Sequence, residues 1–138
     1  MQVLEAPMLL VCSNASATAS RDDARIAAQL NELAERAARR NLRIAYEALA
    51  WGRHVSRYRH AWDIVRKADH PHLGICVDSF HILSLGDDPA AIAEIPGEKI
   101  FFLQMADAPR LAMLFESFDR RLCLQQLGRR MGRRIANH

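Results

Sequence analysis

The sequence predicts an α/β fold with parallel strands, and three observations carry that prediction. Four short apolar runs recur along the chain: Met8–Cys12, Leu42–Leu49, Leu73–Val77 and Ile100–Met105. The segments between them carry apolar residues at helical spacing or turn signals. The step from one run to the next is roughly 30 residues, the length of one strand and its crossover. Continuous apolar strands joined in this way favour a parallel sheet covered on both faces.

Each element has its own reason. Met8–Cys12 (MLLVC) ends at Ser13-Asn14 and reads as a strand buried on both faces. Ala15–Ser20 is a small polar loop. Ser20, before Arg21-Asp22-Asp23, is the expected N-cap of a helix with an acidic first turn. Ile26, Leu30, Leu33, Ala34 and Ala37 mark the apolar face of that helix, and Asn41 is its expected stop. Leu42–Leu49 (LRIAYEAL) is a second strand, followed by a loop containing Gly52. Tyr58–Ala68 is a helix that packs through Trp62, Ile64 and Val65, and His70-Pro71 breaks it. Leu73–Val77 (LGICV) is a third strand. Asp87-Asp88-Pro89 opens a short helix over Ala90–Ile95, and Pro96-Gly97 turns the chain into Ile100–Met105 (IFFLQM). An open doubly wound sheet also fits this order.

Composition narrows the function classes. Half of the 138 residues are apolar and a quarter are charged, the balance of a soluble globular protein. The formal charge of +3 is unevenly spread. Residues 1–109 hold 12 Lys+Arg against 14 Asp+Glu, a balance of −2, while residues 110–138 hold 7 Arg against Glu116 and Asp119, a balance of +5. Two regions are therefore expected, a body over 1–109 and a basic, helical tail over 110–138. The tail's apolar positions, Leu114, Phe118 and Leu122, fit an amphipathic helix with solvated arginines, which makes nucleic-acid binding the lesser reading. Glu5 and Pro7 argue against a secretory signal, and no run approaches the roughly 20 apolar residues of a membrane span. Cys12, Cys76 and Cys123 are widely spaced, with no CxxC; they read as reduced thiols packed as small hydrophobes in a cytoplasmic protein. No GxGxxG follows the first strand and no P-loop motif occurs, which argues against dinucleotide and P-loop nucleotide binding.

Three polar residues stand where apolar ones are expected. Glu47 interrupts the second run, Asp78 directly follows the third, and Gln104 interrupts the fourth. Each lies near the C-terminal end of its strand, the ligand side of a parallel α/β protein. Taken singly, each could satisfy a local backbone group or an arginine. Together, two carboxylates and one amide oxygen match a hard divalent cation, Mg²⁺ or Mn²⁺, better than zinc. His81, three residues past Asp78, is placed to act as a general base at the same mouth or to cap a short helix. Arg53 and His54, in WGRH, could bind an anionic substrate or simply be solvated.

Several segments carry a family resemblance. LLVCSN, AYEALAWGRHV, RHAWDIVRKADHP, LGICVDSFHIL and IPGEKIFFLQMADAP, in order and in register over roughly residues 8–111, resemble bacterial 3-dehydroshikimate dehydratases. These belong to the xylose-isomerase-like barrels, the sugar phosphate isomerase/epimerase superfamily. Some relatives carry a C-terminal 4-hydroxyphenylpyruvate-dioxygenase-like region. The resemblance implies a metal held by Glu47, Asp78 and Gln104, a catalytic His81, and loss of water from a hydroxy-keto acid, 3-dehydroshikimate, to give protocatechuate. It also implies that the chain holds part of a TIM (β/α)8 barrel, about four of eight units, since a complete barrel takes about 250 residues.

The family's fourth ligand, a final Glu, has no counterpart among the residues after Arg110. A truncated or frameshifted product is the favoured reading, with an inactive chain one of its consequences. The enzymatic alternative is a sugar isomerase or epimerase of the same superfamily; the non-enzymatic one is a catalytically silent interaction module. A half-barrel exposes strand edges, so a homodimer through those edges is expected.

Overall fold

The computed structural model describes residues 5–108. Both the basic tail and the boundary near residue 110 fall outside them. β1 (Met8–Cys12), α1 (Asp23–Ala38), β2 (Arg43–Glu47), α2 (Tyr58–Ala68), β3 (Leu73–Asp78), α3 (Ser79–Ser84) and β4 (Ile100–Gln104) follow in order, with 3-10 helices at Pro89–Glu94 and Gly97–Lys99 before β4. The four strands form one parallel sheet in the order β1-β2-β3-β4. This is the β/α repeat that the apolar runs predict.

The core lies on one face of the sheet. Ile44, Tyr46, Ile75 and Val77, alternate residues of β2 and β3, pack with Ala27, Leu30 and Ala34 of α1 and Ala61, Ile64 and Val65 of α2. Both helices present apolar residues at intervals of three and four, so each lays one stripe on the sheet. The intervening residues, Ala45, Glu47, Gly74, Cys76 and Asp78, face the other side. There the sheet is closely approached at one point: a Cβ on Gly74 would stand 2.6 Å from the Phe101 ring and from the Lys99 carbonyl. A register irregularity beside Ile75 and Cys76 adds Phe101 as an extra residue, and the Arg43 guanidinium covers its ring at 4.8 Å.

Several local expectations are corrected. Asp22, not Ser20, caps α1: its Oδ1 accepts from the Ala24 and Arg25 backbone N–H groups, while the Ser20 hydroxyl accepts from the Asp22 N–H. α1 ends at Ala38, three residues before Asn41, which turns the chain in a left-handed conformation (φ 53°); α2 spans Tyr58–Ala68 as expected, and it is Asp69 (φ 46°), just before His70-Pro71, that caps it. β2 stops at Glu47 because the Leu49 N–H turns away to the Ser13 hydroxyl at 3.0 Å. The short helix α3 starts directly after Asp78, whose Oδ1 accepts from the Phe80 N–H, and the segment after Asp88 is 3-10 rather than α. β1 is not buried on both faces. It is an edge strand of the described sheet, and Leu9 and Cys12 are exposed. Its sequence is as apolar as that of a central strand, so hydropathy could not tell the two apart.

Candidate metal centre

The register brings three strand ends together. Cys12 pairs with Glu47, Glu47 with Cys76, and Asp78 with Gln104. Glu47, Asp78 and Gln104 therefore share the sheet face opposite the helical core. Glu47 is only 4% exposed and is held by the Cys12 thiol, which donates to Oε2 at 3.2 Å. The amide end of Gln104 lies 3.0 Å from Asp78 Oδ2 and 3.3 Å from Glu47 Oε1. With its nitrogen turned inward it donates to both carboxylates. With its oxygen turned inward, three acceptors face one another, an arrangement that a cation satisfies. Their spacing is close to the about 2.9 Å between adjacent oxygens around an ion that binds them at about 2.0–2.1 Å. The donor set thus fits a hard divalent ion.

His81 closes the group. Its Nε2 lies 3.6 Å from Glu47 Oε1 and 3.7 Å from Asp78 Oδ2, and ligand atoms of Glu47, Asp78 and His81 lie within 4.8 Å of one another. Its Nδ1 accepts the Ala50 N–H at 3.1 Å, so the neutral ring carries its proton on Nε2, facing the carboxylates. Trp51 meets the ring edge-on at 4.9 Å and Phe80 at 5.4 Å. Burial pushes the imidazole pKa below its usual 6.5, and the charges of Asp78 and Glu47 oppose that shift without cancelling it.

The loop after β2 supplies this surround. Gly52 allows it: a Cβ there would collide with the Val55 carbonyl and the Ser13 hydroxyl. Arg53 is exposed on the same loop, and its backbone N–H donates to the Asn14 carbonyl. His54 is not gathered with the others. Its Nε2 bonds Asp23 Oδ1 at 2.7 Å, and the residue lines a cleft with Val11, Ile26, Leu30 and Tyr46 on the helical face.

Cys12 departs from the expectation of a thiol packed as a small hydrophobe, which the buried Cys76 meets; Cys123 lies outside the described residues. Although Cys12 is exposed, its sulfur is partly desolvated against Glu47. That desolvation, with the bond and the negative charge of Glu47, pushes the thiol pKa up to about 11. Sequence reasoning also missed Trp51. The available signal for Cys12 was its position at a strand end, the same signal that singled out Glu47, Asp78 and Gln104.

Comparison with known proteins agrees with this architecture. Over 113 residues the chain is 60% identical to the 3-dehydroshikimate dehydratase of Pseudomonas aeruginosa and 58% identical to that of Pseudomonas putida. Each match takes in 82% of this chain, which spans 18% of the length of either relative. A solved xylose isomerase-like TIM barrel/4-hydroxyphenylpyruvate dioxygenase fusion protein superposes with a TM-score of 0.79 at 58% identity, over 82% of this chain and 18% of that one. The family model described as xylose isomerase-like TIM barrel matches residues 1–131. With four parallel strands, three of which end in a polar residue, the chain belongs to the xylose isomerase-like TIM barrel family.

Proposed function

We propose that this chain carries part of the active site of a divalent-metal-dependent lyase of the 3-dehydroshikimate dehydratase type, which turns 3-dehydroshikimate into protocatechuate and water. The observation that carries the reading is the convergence of Glu47, Asp78 and Gln104 from three adjacent strand ends beside a buried histidine. Likeness to the dehydratases of the two Pseudomonas species supports it.

Glu47, Asp78 and Gln104 would hold Mg²⁺ or Mn²⁺. When bound, the ion supplies Lewis-acid polarisation of the substrate ketone. The residues do the rest. His81 removes the proton adjacent to the ketone through Nε2. For that, the ring proton must sit on Nδ1, so the contact with the Ala50 N–H is given up during the reaction. Trp51 and Phe80 keep the ring in place and shield it from water. Arg53, exposed on the loop over His81, meets the substrate carboxylate.

The setting is cytoplasmic and the substrate a small hydroxy-keto acid. Self-association through the outer edges of β1 and β4 is part of the same reading, since Phe102, Leu103 and Met105 are exposed at β4. A monomeric mass in light scattering would remove that part. The function is tested with purified full chain, added Mn²⁺ and 3-dehydroshikimate, following protocatechuate by ultraviolet absorbance. Metal-dependent product that disappears in Glu47→Gln is expected. No product, with Mn²⁺ shown to be bound, would rule the activity out for this chain. An isomerised sugar product would move the assignment to an isomerase.

A further inference from the structure

A second cluster of ligand atoms lies away from the strand-end carboxylates. It joins three elements: Asp23 is the first residue of α1, His54 sits in the loop after β2, and His60 lies in the first turn of α2. His54 Nε2 lies 2.7 Å from Asp23 Oδ1, and His60 Nε2 lies 3.0 Å from Oδ1 and 3.1 Å from Oδ2. The two rings meet edge-to-face with centroids 4.9 Å apart, so both present the same nitrogen to one point.

We propose that Asp23, His54 and His60 form a second metal site, selective for a zinc-like first-row ion. The donor chemistry separates it from the strand-end group. Two imidazole nitrogens and one carboxylate suit Zn²⁺ or Co²⁺, whereas an oxygen set suits Mg²⁺ or Mn²⁺. The place in the fold separates it too: His54 lines the cleft on the helical face with Tyr46, and the neighbouring residue Glu47 points the other way. The three ligand atoms lie within 4.8 Å of one another, so an ion at about 2.0–2.1 Å from each requires only small side-chain adjustments. The side chains of His54, His60 and Asp23 are 23%, 30% and 41% exposed, which leaves an entry path and room for water in the remaining positions. Asp63, one turn after His60, shares a shallow cleft with Asp23, but Arg66, which pairs with Asp63 at 2.9 Å, and Lys67 line the same cleft, so the cleft adds no net charge beside the site. Without metal, each ring donates its Nε2 proton to Asp23, which holds the ligands together in advance. Binding requires the ring protons to sit on Nδ1 instead. The ion then ties α1, α2 and the loop after β2 into one unit.

The test uses the full, untagged chain carrying Glu47→Gln and Asp78→Asn, which disable the strand-end group. Zn²⁺ is titrated by calorimetry, and Co²⁺ is followed by its visible absorption. One equivalent of Zn²⁺ is expected, together with a Co²⁺ band typical of nitrogen-containing coordination. His60→Ala should weaken binding at least about 100-fold, and Asp23→Asn should weaken it as well. Far-ultraviolet circular dichroism establishes that each variant is folded. His54→Gln, which keeps a polar side chain in the cleft, serves as a second variant if His60→Ala does not fold. Absence of Zn²⁺ binding would overturn the proposal, as would binding that His60→Ala, Asp23→Asn and His54→Gln all leave unchanged. In either case the cluster is only a hydrogen-bonded tie between helices.

Discussion

Glu47→Gln should move metal-free and metal-loaded stability in opposite directions. Glu47 is 4% exposed and shares the amide end of Gln104 with Asp78, at 3.3 and 3.0 Å. Without an ion, two carboxylates share one buried end of the sheet, so neutralising one relieves repulsion. Gln keeps the shape and can still accept the Cys12 thiol proton. The metal-free variant should therefore melt no lower than the parent. With an ion, the same change removes one of two charged ligands. Outer-shell partners alone cost about 10–100-fold in affinity, so losing a charged ligand should cost at least about 100-fold. At a Mn²⁺ concentration about 100 times the parent's Kd, binding stabilises the parent by about 2.7 kcal/mol and the variant by only about 0.4 kcal/mol. For a domain of this size the melting shift falls from about 10 °C to about 2 °C. Differential scanning fluorimetry with and without Mn²⁺ reads both effects. A variant that keeps the full Mn²⁺-dependent shift, or that melts well below the parent without metal, would refute the reasoning.

Three further outcomes are expected. Burial holds His81 neutral in the folded chain, with its pKa below 6.5, so the unfolded chain takes up that proton first as pH falls. The His81 contribution is therefore complete above about pH 6.5 and declines as pH drops toward the folded value; urea midpoints from pH 7 to 5 should fall less steeply in His81→Gln. Cys12, with a pKa of about 11, should alkylate at pH 8 about 10- to 100-fold more slowly than an ordinary exposed thiol, since its thiolate is rarer but more nucleophilic, and faster in Glu47→Gln, measured by mass spectrometry on a Cys123→Ser chain. Gly74→Ala places a methyl group 2.6 Å from the Phe101 ring and the Lys99 carbonyl and should cost about 1–3 kcal/mol by urea denaturation; an unchanged midpoint would show that β4 shifts freely.

Sequence alone determined the order of elements, because apolar runs and helical stripes are local patterns. It also picked out Glu47, Asp78 and Gln104, since a polar residue inside a strand run conflicts with the pattern around it. Tertiary structure decided what those patterns left open. Whether β1 was central or an edge depended on which strands lie beside it. The Cys12 thiol meets the Glu47 carboxylate only through the β1–β2 register, across 35 positions of sequence. His81 and His54 looked alike as polar residues just past strand ends. Strand alternation and the path of the loop separated them, turning His81 toward the strand-end carboxylates and His54 toward Asp23 on the helical face. The physical reason is the same throughout: hydropathy records whether a residue prefers burial, while register and chain path decide which partner it meets there.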